Sequence, residues 1–141
     1  MKHYNIFNHT ADLGVEVFGE TLPDLFSHAA LALADLLVEG MEALETAFPD
    51  TRAIVIEGSD IADLFVNFLR EILYLFNGEG LILKTCRIVR IDDRSLVAEL
   101  CGERYDPERH RVRMEIKAVT YHQAAVEKTV EGWEGRVVFD V

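Results

Sequence analysis

Two hydrophobic periods alternate along the chain. In Leu13-Gly14-Val15-Glu16-Val17-Phe18, positions 13, 15 and 17 share one side, the two-residue repeat of a strand. Residues 4–19 as a whole read as extended, and Gly19-Glu20 breaks the run. From Thr21 the period lengthens. Leu22, Leu25, Phe26, Ala29, Ala30, Leu33, Leu36 and Leu37 recur at helical spacing. Thr21 can cap this helix together with Asp24, and Pro23 falls in the first turn, where its missing N–H costs little. The helix is predicted to run to about Val38, with Glu39-Gly40 as its stop. After an irregular stretch over 40–52, residues 53–57 predict a short strand. A second helix opens at Ser59 or Asp60 and carries Ile61, Leu64, Phe65, Phe68, Leu69, Ile72, Leu75 and Phe76 on one stripe, with Asn77-Gly78 as its end. Each stripe is wide enough to lie on a sheet or on the other helix.

From Gly80 onward the pattern is mostly that of strands. Residues 81–91 and 95–102 predict a hairpin about Asp93-Arg94, and 106–110 reads as a turn or a short helical loop. Val112, Met114, Ile116 and Ala118 alternate with charged neighbours, 120–130 extends further, Glu131-Gly132 punctuates, and 136–141 is the final strand. Strands before, between and after two helices predict an α+β two-layer sandwich. In it, two amphipathic helices pack on one face of a mainly antiparallel or mixed β-sheet. A chain of 141 residues fits one domain, 1–141, around one core.

Charge narrows the function. Lys and Arg number 14 against 25 Asp and Glu, a net charge of −11. Such a surface repels phosphate backbones, so direct nucleic-acid binding is not expected unless the few basic residues cluster. A metal or a basic protein surface is the better match. Met1-Lys2-His3-Tyr4-Asn5 leads straight into a folded-looking segment, without a signal peptide. No apolar run approaches the ~20 residues a bilayer needs, so a cytoplasmic protein without a membrane partner is expected. Cys86 and Cys101 stand symmetrically about the hairpin turn and could face each other across it. A reduced pair is expected there rather than a disulfide, since the cytosol keeps thiols reduced.

The chemistry on offer is that of carboxylates. There is no phosphate-cradling glycine loop, no Gly-x-Ser-x-Gly and no His-Glu-x-x-His. Asp12 follows His9-Thr10-Ala11 and precedes Leu13-Gly14, whose glycine permits an unusual turn and close approach of a ligand. An Asp in a turn also serves as a plain turn former. Asp140 and Val141 close the chain directly after an apolar run, so a side-chain and a main-chain carboxylate stand together. If that strand lies beside the Asp12 segment, three carboxylates converge. They must then be protonated, hydrogen-bonded or holding a cation. Hard oxygen donors suit Ca²⁺ or Mg²⁺ rather than zinc, with Mn²⁺ also admitted. Lys117-Ala118-Val119-Thr120-Tyr121-His122 is a second polar cluster. Lys117 could pair with an acidic site or meet a phosphate, or be an ordinary surface lysine. His110 and His122 belong to the residue type that titrates near neutrality.

These motifs resemble the archease family. The likeness is carried by His9-Thr10-Ala11-Asp12-Leu13-Gly14 with Gly19 and the helix from Thr21, by Gly78-Glu79-Gly80-Leu81, and by Gly102-Glu103. Lys117-Ala118-Val119-Thr120-Tyr121-His122 and the Asp140-Val141 ending complete it. The resemblance covers nearly the whole chain, with no family motif over about 40–57. It implies a non-enzymatic activator of an RtcB-family tRNA-splicing RNA ligase, one that promotes guanylylation and multiple turnover and broadens the nucleotide the ligase accepts. It also implies a metal site at Asp12, Asp140 and the terminal Val141, with His9, Lys117, Tyr121 and His122 on the same functional surface. Two other classes stay open. One is a small divalent-metal-dependent phosphoester hydrolase using Asp12 and Asp140. The other is a chaperone-like interaction module with a structural cation. An exposed strand edge could also pair with another copy.

Overall fold

The computed structural model describes residues 3–9, 12–39 and 49–141. The chain runs β1 (Tyr4–His9), β2 (Asp12–Gly19), α1 (Leu22–Leu37), β3 (Val38–Glu39), β4 (Asp50–Glu57), α2 (Ile61–Glu79) and β5 (Leu81–Ile91). It continues with β6 (Ser95–Arg104), β7 (Arg111–Val112), β8 (Ala118–Thr129) and β9 (Gly132–Asp140). The architecture is the expected α+β sandwich, and every described strand pairing is antiparallel. The described strands form three ladders rather than one sheet: β1-β2-β9-β8, β4-β6-β5 and a short β3-β7 ribbon.

The helices form where local signals and burial agree. Thr21 caps α1, its side chain accepting the Asp24 N–H at 3.2 Å. Asp60 caps α2 by accepting the Asp63 N–H at 2.8 Å. Phe26, Phe65 and Phe68 lie between the layers, fully buried, with ring centroids 5.1 Å apart for Phe26–Phe65 and 5.5 Å for Phe26–Phe68. Each such side chain contributes about 1.5–3 kcal/mol through removal from water. They pack with Val15, Val17, Val137 and Phe139 of the four-stranded sheet and Leu96, Ala98 and Leu100 of the three-stranded one. One core therefore ties both sheets to both helices.

Several sequence expectations shift. The 4–19 stretch is two strands, and Asp12-Leu13-Gly14 lies inside β2. Gly14 forms no turn; it is a buried strand residue opposite Val138. α1 passes directly into β3, so Val38-Glu39 continues as a strand, and Gly40 lies outside the described residues. α2 carries on through Asn77-Gly78 and ends at Gly80, left-handed at φ 72°, whose N–H closes on Phe76 O. The irregular 40–52 stretch resolves in part, since β4 begins at Asp50 and 40–48 lie outside the described residues. The alternation through Met114 and Ile116 makes no strand beyond Arg111–Val112, although Ile116 is buried.

The two cysteines do not face each other. A register shift between Leu83 and Thr85 sets Cys86 opposite Leu100 and Cys101 opposite Thr85. Cys86 packs against the core, Cys101 lines a shallow outer cleft with Thr51 and Arg87, and both are free thiols. Among the described residues, no helix is long and apolar enough to cross a membrane.

Candidate functional site

The register of β2 on β9 is set by what it buries. Leu13 faces Phe139, Val15 faces Val137 and Val17 faces Gly135, all on the helix side. A slip by one residue would turn every side chain to the other face. Exposing Val15, Val17, Val137 and Phe139 alone would cost about 6–12 kcal/mol at ~1.5–3 each. Asp12 is thereby forced opposite Asp140. Like charges directly opposed in a ladder cost up to ~1 kcal/mol, far too little to move the register.

The same logic extends across the sheet. His9 pairs with Asp12, Asp12 with Asp140, and Asp140 with Ala118, one row over four strands. Directly opposed residues keep their Cβ atoms about 4.5–5.5 Å apart, so the two carboxylates share a face within reach of one small ligand. Both aspartates are half-buried. Lys117 stands immediately before Ala118, and its backbone N–H donates to Asp140 O at 2.7 Å. Val141 follows Asp140 and is 38% exposed. Val138 lies on the same outer side as Asp140 yet is fully buried. The aspartates thus rim a covered patch rather than an open face.

Tyr121 and His122 depart from the row. The β8–β9 pairing breaks between Thr120 and Ala125, and Gln123 within that irregularity takes φ 58°. Tyr121 turns to α2. Its hydroxyl donates to Asn67 Oδ1 and accepts from Arg70 Nη1, both at 3.1 Å, and the Arg70 guanidinium lies 4.3 Å over its ring. The neighbouring Asp63 and partial burial push the Tyr121 hydroxyl's pKa up, against the pull of Arg70. The Tyr121 contacts are those of a brace between β8 and α2. The exposed His122 donates its backbone N–H to Thr120 Oγ1 at 3.3 Å.

The donor chemistry fits a hard cation. Asp12 and Asp140 offer oxygen only, the preference of Ca²⁺, Mg²⁺ or Mn²⁺. Among the described residues, no three His, Cys, Asp or Glu side chains converge as metal ligands. A cation held by Asp12 and Asp140 would take its remaining donors from main-chain oxygens or water.

Sequence reasoning missed a buried cluster behind β6. Glu103, 2% exposed, accepts from His110 Nε2 at 3.0 Å and from Arg109 Nη2 at 3.2 Å. Its signal was an acid at the buried end of a strand, with an arginine at the end of the following turn and a histidine just after it.

Comparison with known proteins agrees along the full length. The model of the archease protein family matches residues 4–141. Protein archease of Methanosarcina acetivorans is 37% identical over 145 residues, covering 99% of this chain and 97% of the relative. That of Pyrococcus furiosus is 35% identical over 146 residues, the whole of both. The solution structure of protein 1598 from Methanobacterium thermoautotrophicum superposes with a TM-score of 0.79 at 28% identity over both chains entire. A Thermotoga maritima crystal structure, described as an archease and possible chaperone, gives a TM-score of 0.63 at 23% identity, covering 96% of this chain and 94% of that one. At that identity it shares the fold alone.

Proposed function

The chain belongs to the archease family, and on that premise we propose that it activates an RtcB-family tRNA-splicing RNA ligase without doing chemistry of its own. Its role is to promote guanylylation and multiple turnover of the ligase through a metal-binding acidic site at Asp12, Asp140 and the Val141 carboxylate. The observation that carries this is the forced pairing of Asp12 with Asp140 on adjacent strands, one residue before Val141.

Phosphoryl transfer depends mainly on positioning and on neutralising charge. A divalent cation held by those carboxylates supplies positive charge beside a triphosphate. The aspartates hold it at the rim of a sheet that the core keeps rigid. Lys117, tied to Asp140 by its own backbone, stands ready to meet a phosphate oxygen next to them. A coupling of about 1.4 kcal/mol between activator binding and the guanylylation-competent ligase raises the competent population tenfold. The acidic surface suits docking on a protein with basic walls rather than on the RNA itself.

The test is RNA ligation under limiting ligase with this protein, Asp12→Asn and Asp140→Asn, each verified as folded. Stimulation should fall at least tenfold in both variants. Undiminished stimulation would remove the acidic row from the mechanism.

A further inference from the structure

At the end of β2 and β9 opposite to Asp12 and Asp140, a cleft of about 670 Å³ opens between the β8–β9 turn and the start of α1. That volume lies within the ~300–1,000 Å³ of small-molecule sites. Its floor is Phe18-Gly19-Glu20, one wall is Asp24 and His28 of α1, and the other is the turn from Thr129 to Glu134. The walls are fixed to each other through backbone. Gly132 sits at φ 142°, and a Cβ there would come within 2.5 Å of Gly19 O and 3.1 Å of Glu20 Cα. The turn is therefore pressed directly onto the floor. His28 Nδ1 donates to Phe18 O at 2.6 Å, and His3 stacks on His28 with centroids 4.0 Å apart and planes 19° from parallel. The cleft is formed before any ligand arrives.

Its lining defines the ligand. Phe18 and Trp133 supply aromatic faces, and Glu20, Asp24, Glu131 and Glu134 supply carboxylates on the floor and both walls, while among the described residues no Lys or Arg lines it. Burial, with Glu16 and Glu127 close by, pushes the Glu134 carboxyl above its ordinary range against the pull of Arg136. Aromatic faces beside carboxylates attract organic cations. The carboxylates are spread along the walls, and no metal-binding trio forms among the described residues. Spaced charges separated by apolar surface match ammonium groups separated by methylenes.

We infer that this cleft binds a linear alkylammonium ligand, its methylenes against Phe18 and Trp133 and its ammonium groups on the flanking carboxylates. The ammonium comes either from a free polyamine or from a lysine side chain of a partner protein. The site is independent of the ligase reading.

Trp133 is the chain's single tryptophan, so its fluorescence reports the cleft directly. Spermidine and N-acetyl-lysine amide are titrated at constant ionic strength, with NaCl and MgCl₂ as controls. Expected is a saturable change with an ammonium ligand, at least tenfold weaker in the Glu20→Gln/Glu131→Gln double variant. Both substituted residues are exposed, and circular dichroism verifies folding. Tighter binding of spermidine identifies a free polyamine, and equal or tighter binding of the lysine amide identifies a side chain; either supports the site. Asp12→Asn protein should bind unchanged, which separates this cleft from the acidic row. A response that MgCl₂ reproduces, that the double variant retains, or that never saturates overturns the inference.

Discussion

Replacing His110 by alanine should unfold the protein far more easily than its distance from the acidic row suggests. The imidazole is fully enclosed, and its partner Glu103 is 2% exposed. His110 Nδ1 accepts the Asp106 N–H at 2.9 Å, so in the neutral ring the proton sits on Nε2 and is donated to Glu103 Oε1 at 3.0 Å. Removing the ring takes one hydrogen-bond donor from a buried carboxylate, opens a cavity and orphans a backbone donor. Leaving a buried charged acceptor without one of its donors, with a cavity in place of the ring, costs about 3 kcal/mol, or roughly 10 °C in Tm for a chain of this size. Glu103→Gln keeps the shape and should cost about 1–2 kcal/mol.

The pH dependence follows from the same contacts. Burial pushes the Glu103 carboxyl up, but the His110 hydrogen bond and the charge of Arg109 outweigh it and leave the group below its ordinary 4.5. A depressed folded value means that stability is present above the unfolded value and is lost as the pH falls through the folded one. The gap between wild type and Glu103→Gln should therefore be full at pH 7 and narrow below about pH 4.5. Urea unfolding at pH 7 and at pH 3.5 measures both effects. If His110→Ala stays within 0.5 kcal/mol of wild type, or if the gap is unchanged at pH 3.5, the buried pair is not what holds this region.

Two glycine substitutions should act for opposite reasons. Gly135→Ala places a Cβ 2.8 Å from Phe65 Cζ and should cost about 1–3 kcal/mol through overpacking, read as a lower urea midpoint. Gly80→Ala has room, with nothing nearer than 3.8 Å. Its left-handed φ of 72° should still cost about 1–2 kcal/mol, in the same assay. Burial pushes the Cys86 thiol up to about 12. A thiol reagent at pH 8 should accordingly label Cys101 quickly and Cys86 only on unfolding, with the labelled peptide identified by mass spectrometry.

Both helices were legible because their signals are local: the stripes from Leu22 and from Ile61, the Thr21 and Asp60 caps. Asp12 and Asp140 were legible as chemistry, but their pairing depended on strand order, which no local pattern encodes. Gly14 was misread because a glycine beside an aspartate looks like a turn, whereas here it is a buried strand residue opposite Val138. The end of α2 was misplaced because Asn-Gly commonly stops a helix; here Gly80 does so two residues later, with Phe76 as acceptor. The irregularity after Thr120 separated Tyr121 from Asp140, and a register break has no sequence period to announce it. Glu103 and His110 went unpaired because the turn at 107–109, whose geometry the sequence pattern leaves open, brings them together.

Because β9 lies between β2 and β8, residue 12 meets residue 140 across nearly the whole length of the chain. Ladders of such sequence separation close late and slowly, since their loop entropy is lost before any contact repays it. The β5–β6 hairpin, with its short connection, should acquire amide protection early in refolding, and the β2–β9 amides last. The carboxylate row is then the final thing the molecule assembles, and a nascent or partly open chain cannot present it.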